Sequence, residues 1–329
     1  MNMKCRRILG MAMATVLALT CVTGCSTAPK EYPSEDITIL IPRGAGGGTD
    51  TSARGLIEFA KDKLPKGVQF LPTNKPEGSG VACMIEGANA DPDGYTLTML
   101  IVEAAMLPHV GRMDATVEDF KGICAPIADP AALIVPANAP YNTLEKFIEY
   151  AKEHPGEIQV ANPGIGGIMH MAAVNVEETC DVEFVHVPYP DGTGACIAAL
   201  VGGHVDATFG TPGTALSQVE AGTLKILGVM DSTRCELFPD VPTFKEAIGL
   251  DFEMRAWAVL SAPKDIPDDV YEKLVTIFKE TMEDPAYQEY TMKQGIVPST
   301  IVGEEADQMM KADNEVYAEL MQLVADQMD

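Results

Sequence analysis

The sequence predicts an α/β fold built on mainly parallel sheets, and two observations carry that prediction. Short β-type runs alternate with amphipathic helical runs along most of the chain, an order that lays helices on the faces of parallel strands. Two glycine-rich turns, Gly44-Ala45-Gly46-Gly47-Gly48-Thr49-Asp50 and Gly164-Ile165-Gly166-Gly167, each stand between a strand candidate and a helix candidate. Strand, glycine turn and helix together aim unsatisfied backbone N–H groups and the positive end of a helix dipole at one spot, an arrangement suited to an anion.

Taken in order, the chain opens with Lys4, Arg6 and Arg7 and then an apolar or small-residue run over 8–20, the pattern of a secretory leader. It ends in Val22-Thr23-Gly24-Cys25, which resembles a bacterial lipobox. The expectation is a signal peptide over 1–24, cleavage before Cys25, lipidation of the Cys25 thiol and a polar tether over 25–35. The apolar run is shorter than the roughly 20 residues a bilayer span needs. Strand candidates follow at 37–41, 68–71, 95–101, 132–135, 158–161, 184–187, 205–209, 225–229 and 256–260. The helix leaving the first turn carries Ala53, Leu56, Ile57, Ala60 and Leu64 on one face. Thr143 reads as the N-cap of a helix with Leu144, Phe147, Ile148 and Ala151 inward. Further helices are expected at 192–201, after Asp268 (with Val270, Leu274, Ile277 and Phe278 inward) and at 304–328. Proline-bearing loops at 135–140 and 231–242 suggest one domain inserted into another: 36–135 with 236–329 as a discontinuous first domain, and 136–235 as the second.

Composition narrows the function. The formal charge is −25, and the leader removes three cations and no anions, so the processed chain is more acidic still. Such a chain is a poor partner for nucleic acid, and any anion must be held by local donors. Of eight cysteines, Cys5 and Cys21 leave with the leader and Cys25 takes the lipid. Cys83, Cys124, Cys180, Cys196 and Cys235 are odd in number, widely spaced and without a CxxC pair, so neither a disulfide framework nor a structural zinc site is expected. Neither glycine turn completes GxGxxG, since Thr49 and Met169 occupy the third glycine position, and no GxxxxGK[ST] occurs. HExxH and GxSxG are also missing, Ser79 being flanked by Glu77 and Val81. Of the five histidines only His170, one turn into the second helix, is placed to line a site. Asp50 is open between a helix cap and a carboxylate for a ligand's ammonium or hydroxyl.

Several further segments accompany the two turns: Pro42 and Arg43 before the first, Ala53-Arg54, Asn74-Lys75-Pro76 through Gly80, Asp91-Pro92-Asp93-Gly94-Tyr95-Thr96, His186-Val187-Pro188-Tyr189, Leu200-Val201-Gly202-Gly203-His204-Val205-Asp206, Ala221-Gly222-Thr223-Leu224-Lys225, Pro239-Asp240-Val241-Pro242-Thr243 and Trp257. In this order, over 36–325, the chain resembles the substrate-binding proteins of tripartite tricarboxylate transporters, the Bug receptors. Arg43, Ile165 and Ile168 depart from the usual pattern. The resemblance implies a type II periplasmic-binding-protein-like fold, two α/β domains around a ligand cleft. It implies an extracytoplasmic receptor, here with the lipid anchor expected at Cys25, that captures a small carboxylate (a di- or tricarboxylate, or an amino or aromatic acid) and delivers it to membrane permease subunits. Carried over residue by residue, the ligand contacts are Ala45, Gly46, Gly47, Thr49 and Asp50 in the first loop and Asn162, Gly164, Gly166, Gly167 and His170 in the second, with Pro188, Tyr189 and Asp206 from the second domain. Arg43, Arg54 and Arg255 are candidates for extra charge pairing, and Tyr189 and Trp257 are either cleft or core aromatics. No catalytic residue, metal or cofactor is expected. The alternatives are a sensor presenting a carboxylate to a signalling partner, and a small hydrolase using His170 with Asp50 or Asp206.

Overall fold

A computed structural model describes residues 31–189, 192–251 and 253–325. The expected leader, Cys25, the first part of the tether and the end of the last helix candidate lie outside the described residues. The apolar run Ile37–Ile41 forms β1, buried on both faces, and the glycine turn after it opens α1 (Gly48–Ala60), which buries Ala53, Leu56 and Ala60. Then come β2 (Phe70–Asn74), α2 (Val81–Ala88), β3 (Thr96–Ile101), β4 (Phe120–Pro130) and β5 (Ala132–Pro136). Next are α3 (Leu144–Glu153), β6 (Ile158–Asn162), α4 (Ile168–Cys180), β7 (Phe184–Pro188), α5 (Thr193–Val201), β8 (Ala207–Gly210), α6 (Pro212–Glu220) and β9 (Leu224–Val229). The chain closes with α7 (Phe244–Ile248), β10 (Arg255–Pro263), α8 (Asp268–Met282), α9 (Pro285–Lys293) and α10 (Glu304–Val324). Thr143 caps α3 as expected, its hydroxyl accepting from Lys146 N–H, whereas Asp268 is the first residue of α8 and Pro267 holds the N-cap position.

Two five-stranded mixed sheets share one design. The first runs β2-β1-β3-β10-β4, with β1 parallel to β2 and β3, and β10 antiparallel to β3 and β4. The second runs β7-β6-β8-β5-β9, with β6 parallel to β7 and β8, and β5 antiparallel to β8 and β9. This is the two-domain, type II periplasmic-binding-protein-like architecture. A contiguous apolar cluster runs from Ile39, Met99 and Leu260 in the first lobe to Phe147, Val160 and Phe209 in the second. A smaller one, including Ile134, Cys196, Leu200 and Ile226, fills the other face of the second sheet. Burying a side chain of this size contributes about 1.5–3 kcal/mol.

The chain changes sheets at Ala131, between β4 and β5, and returns just before β10. Both points differ from the expected boundaries at 135 and 236, because β5 pairs with β8 and β9, and Thr243 at the start of α7 bridges to Val229. The loops at 135–140 and 231–242 mark where the chain turns, but the exchange itself lies at Ala131, directly after Asp129-Pro130, and just before Arg255. At the exchange three buried residues form a ring: Ala131 N–H donates to Met254 O (2.7 Å), Met254 N–H to Met230 O (3.1 Å) and Met230 N–H to Ala131 O (2.8 Å).

Candidate functional site

In each lobe a glycine turn sits at the carboxyl end of the central one of three parallel strands, and the two turns are built alike. After β1, Gly46 takes φ +83°, Gly47 N–H donates to Gly44 O (3.3 Å) and Thr51 N–H makes the first helical bond to Gly47 O (2.8 Å). After β6, Gly166 takes φ +74°, Gly167 N–H donates to Gly164 O (3.2 Å) and Met171 N–H bonds Gly167 O (2.9 Å). The positive φ explains glycine at both positions. Gly47 and Gly167 are the N-caps, and no side chain caps either helix. The N–H groups of Gly48, Thr49 and Asp50, and of Ile168, Met169 and His170, precede the first bond of their helices, and they carry the helix's partial positive charge. Ala45, Gly46 and Gly47 are exposed and Thr49 partly so; Gly164 and Gly167 are half-buried and Gly166 is buried.

Beneath each turn a side chain four residues on holds the positive-φ glycine by its N–H. In the first lobe Gly46 N–H donates to Asp50 Oδ2 (2.8 Å). Asp50 is 2% exposed and also accepts from Arg54 Nε (2.9 Å) and Asn74 Nδ2 (2.8 Å). Burial by itself raises its pKa, but the hydrogen bonds from Arg54, Gly46 and Asn74 and the Arg54 charge outweigh it and hold the carboxyl below its ordinary value. Asp50 is therefore neither the helix cap nor a group facing out of the turn; with Arg54 it braces the loop from inside.

In the second lobe Gly166 N–H donates to His170 Nδ1 (3.0 Å), which fixes the tautomer with the proton on Nε2. Burial, and then the neighbouring His186, lower the His170 pKa to about 4, so the ring is neutral. The His186 ring stands edge-on at 4.6 Å, accepts from Asn162 Nδ2 (2.9 Å) at Nδ1 and donates from Nε2 to Glu177 (2.9 Å). Asn162 and His170, both fully buried, lie under the turn rather than in its mouth, and Asn162 Oδ1 and His170 Nε2 have no partner.

The remaining expected contacts divide. Pro188 pairs with Asn162 at the ends of β7 and β6, and Tyr189 N–H donates to Asn162 O (2.7 Å), so both sit at the base of the second turn. Asp206 does not join them. It precedes β8, and its Oδ2 accepts from Gln159 N–H (2.9 Å) near the start of β6, at the opposite end of the parallel strands from the glycine turn. Trp257 is a core residue, 2% exposed, donating to Asp313 (2.8 Å) on α10, and Arg255 pairs with Asp231 and Glu253 beside the lobe exchange.

Two groups escaped the sequence analysis. Glu103 follows β3 and is ion-paired with Arg43 beside the first turn. Thr211 and Thr214, hydrogen-bonded through their hydroxyls (2.7 Å), open α6 after β8, next to a glycine–glycine contact between the lobes at Gly213 and Gly295. Glycine at a strand's carboxyl end was the available signal for Thr211-Pro212-Gly213-Thr214. Among the described residues no His/Cys/Asp/Glu group is arranged to hold a metal, and no helix is long and apolar enough to cross a membrane.

A model described as a tripartite tricarboxylate transporter family receptor matches residues 53–325. The UPF0065 protein in the gbd 5' region of Cupriavidus necator is 32% identical over 294 residues, covering 88% of each chain. Among solved structures, a TctC solute binding protein from Polaromonas, 31% identical, gives a TM-score of 0.81 over 88% of this chain and 99% of its own. An R. palustris protein solved with adipate, 21% identical, shares the fold with a TM-score of 0.73 over 90% of this chain and 98% of its own.

Proposed function

The chain belongs to the tripartite tricarboxylate transporter receptor family, and from that premise we propose that its two glycine turns close on one carboxylate of a small acid. The family is one of extracytoplasmic solute-binding receptors. The observation that carries the clasp is the same uncapped turn built twice, at the carboxyl end of the central strand of each lobe. A carboxylate has two oxygens with two acceptor sites each, enough for donors from two helix N-termini at once. The proteins of this fold include one solved with a dicarboxylate, adipate, which supports the ligand class.

In this proposal the lobes turn about the exchange at Ala131, Met230 and Met254, and closing brings the second N-terminus onto an anion already held by the first. The brace residues keep both turns in shape before the ligand arrives, so little ordering remains to be done on binding. His170 is ill placed as a hydrolytic base, because the Gly166 N–H occupies its Nδ1 lone pair and its Nε2 carries the ring proton. The leader and Cys25 support a lipid anchor outside the cytoplasmic membrane, from which the receptor hands its acid to permease subunits of the transporter.

A thermal-shift screen of the processed chain against mono-, di- and tricarboxylates, amino acids and aromatic acids tests the clasp. A bound acid raises the melting temperature with the logarithm of its concentration. Gly47→Val and Gly167→Val put bulk before the donors at positions of ordinary φ, so each should stay folded, with a melting point lowered by the poorer N-cap, and abolish the shift. The clasp is wrong if no carboxylate stabilises the protein, or if both variants respond as the parent does.

A further inference from the structure

Beside the first glycine turn the loops that follow β1, β2 and β3 are drawn together by one ion pair. Arg43 Nη1 donates to Ser79 O at 2.7 Å, and Nη2 is hydrogen-bonded and ion-paired to Glu103 Oε1. The middle loop is pressed tightly into place: Gly78, Ser79 and Gly80 all take positive φ (59°, 59° and 87°), and a Cβ on Gly80 would lie 2.4 Å from Pro42 O. The cluster therefore stands at the carboxyl ends of the parallel strands, the edge at which open α/β sheets receive ligands. Arg43 offsets the charge of Glu103, so the pair is near neutral. Yet Glu103 Oε2 is buried and accepts no hydrogen bond, although the Glu103 side chain as a whole keeps 23% of its surface. Native structures rarely leave a carboxylate oxygen in that state, and a donor from outside the protein would satisfy it.

Building on the carboxylate clasp, we propose that Glu103 is a specificity-determining residue that accepts a hydrogen bond from a hydroxyl or ammonium on the ligand's carbon skeleton. The favoured ligands are then hydroxy or amino acids, and the corresponding unsubstituted acids bind less well. Arg43 orients the carboxyl by engaging Oε1, which leaves Oε2 as the free acceptor.

Glu103→Gln tests this with little change of shape. Arg43 donates, so the amide oxygen stays on Arg43, and an NH₂ donor replaces the free acceptor. Calorimetric titration of the full processed receptor compares acids that differ by one donor: propionate, lactate and alanine; succinate, malate and aspartate; phenylacetate, mandelate and phenylglycine. The parent should bind a donor-bearing member about tenfold more tightly than its plain counterpart, the size expected of one hydrogen bond to a charged acceptor. In Glu103→Gln the amino-acid preference should disappear while the plain acid binds as before, because an ammonium only donates; a hydroxyl can also accept from the new NH₂, so its preference should shrink less, and the two arms tell hydroxyl from ammonium. The proposal is overturned if the parent favours plain acids, if only acids without such a donor bind, or if the variant weakens all members alike, which would leave Glu103 as a brace. Failure of every carboxylate to bind overturns the clasp itself, and this proposal with it.

Discussion

The brace under the second turn makes stability depend on pH through a single side chain. His170 has its pKa lowered from 6.5 to about 4, mainly by burial. Between those values the unfolded chain holds a proton on this residue and the native one does not, so stability falls as pH drops from 6.5 towards 4. At 1.36 kcal/mol per pKa unit the whole effect is about 3 kcal/mol, and about 2 kcal/mol of it develops between pH 7 and pH 5. His170→Asn keeps an oxygen near the Nδ1 position for the Gly166 N–H but cannot be protonated in this range. Urea unfolding at pH 7 and pH 5, on parent and variant, isolates the histidine because the carboxylates common to both cancel. The parent should lose about 2 kcal/mol more than the variant on going to pH 5. Equal losses would show that His170 is accessible to protons in the native state and that the neutral-brace account is mistaken.

Other expectations follow from the contacts between and within the lobes. A Cβ on Gly213 would lie 1.7 Å from Gly295 O, and this overlap is relieved by parting the lobes, so Gly213→Ala should weaken ligand binding about tenfold, within the 1–3 kcal/mol of an overpacked contact. Calorimetry measures the affinity and small-angle scattering the opening; unchanged values for both would remove Gly213 from the closed state. Asp206→Asn keeps an acceptor for Gln159 N–H at the end of the second sheet away from the turn, so affinity should not change and stability should move by no more than about 0.5 kcal/mol. A large loss of binding in that variant would restore Asp206 to the site.

What the sequence disclosed was local. Runs such as 37–41 and 158–161 announce buried strands, and glycines flanked by a strand and an amphipathic helix announce the two turns. The longest strand, β4, escaped because Lys121, Gly122 and Pro126 interrupt its apolar pattern. It is held instead by distant partners: β10 on one side, in a register that shifts near Pro126, and the 301–303 segment on the other, where Ala125 N–H donates to Ile301 O (2.9 Å). Asp50 and His170 were identified as belonging to the turns, but which way they point depends on Asn74 and His186, residues remote in sequence, and on Asn162 beneath the second turn. Asp206 was misplaced for a related reason, since nothing local says at which end of a parallel strand a flanking carboxylate lies. Arg43 stood out as a charge before the first turn, but its partner Glu103 belongs to a loop 60 positions away.

The exchange of strands between the sheets has a consequence for the order in which the molecule is completed. The second sheet is contiguous in the chain, from β5 to β9, and has all its members once Val229 has been made. The first sheet has β1 to β4 much earlier, but β3 and β4 do not touch as neighbours; β10, which begins at Arg255, lies between them. The lobe that starts first is therefore finished last. Until β10 arrives, β3 and β4 each expose an unpaired strand edge, the kind of surface that adheres to other chains. A polypeptide with that topology is safest if it stays extended until its C-terminal third is available.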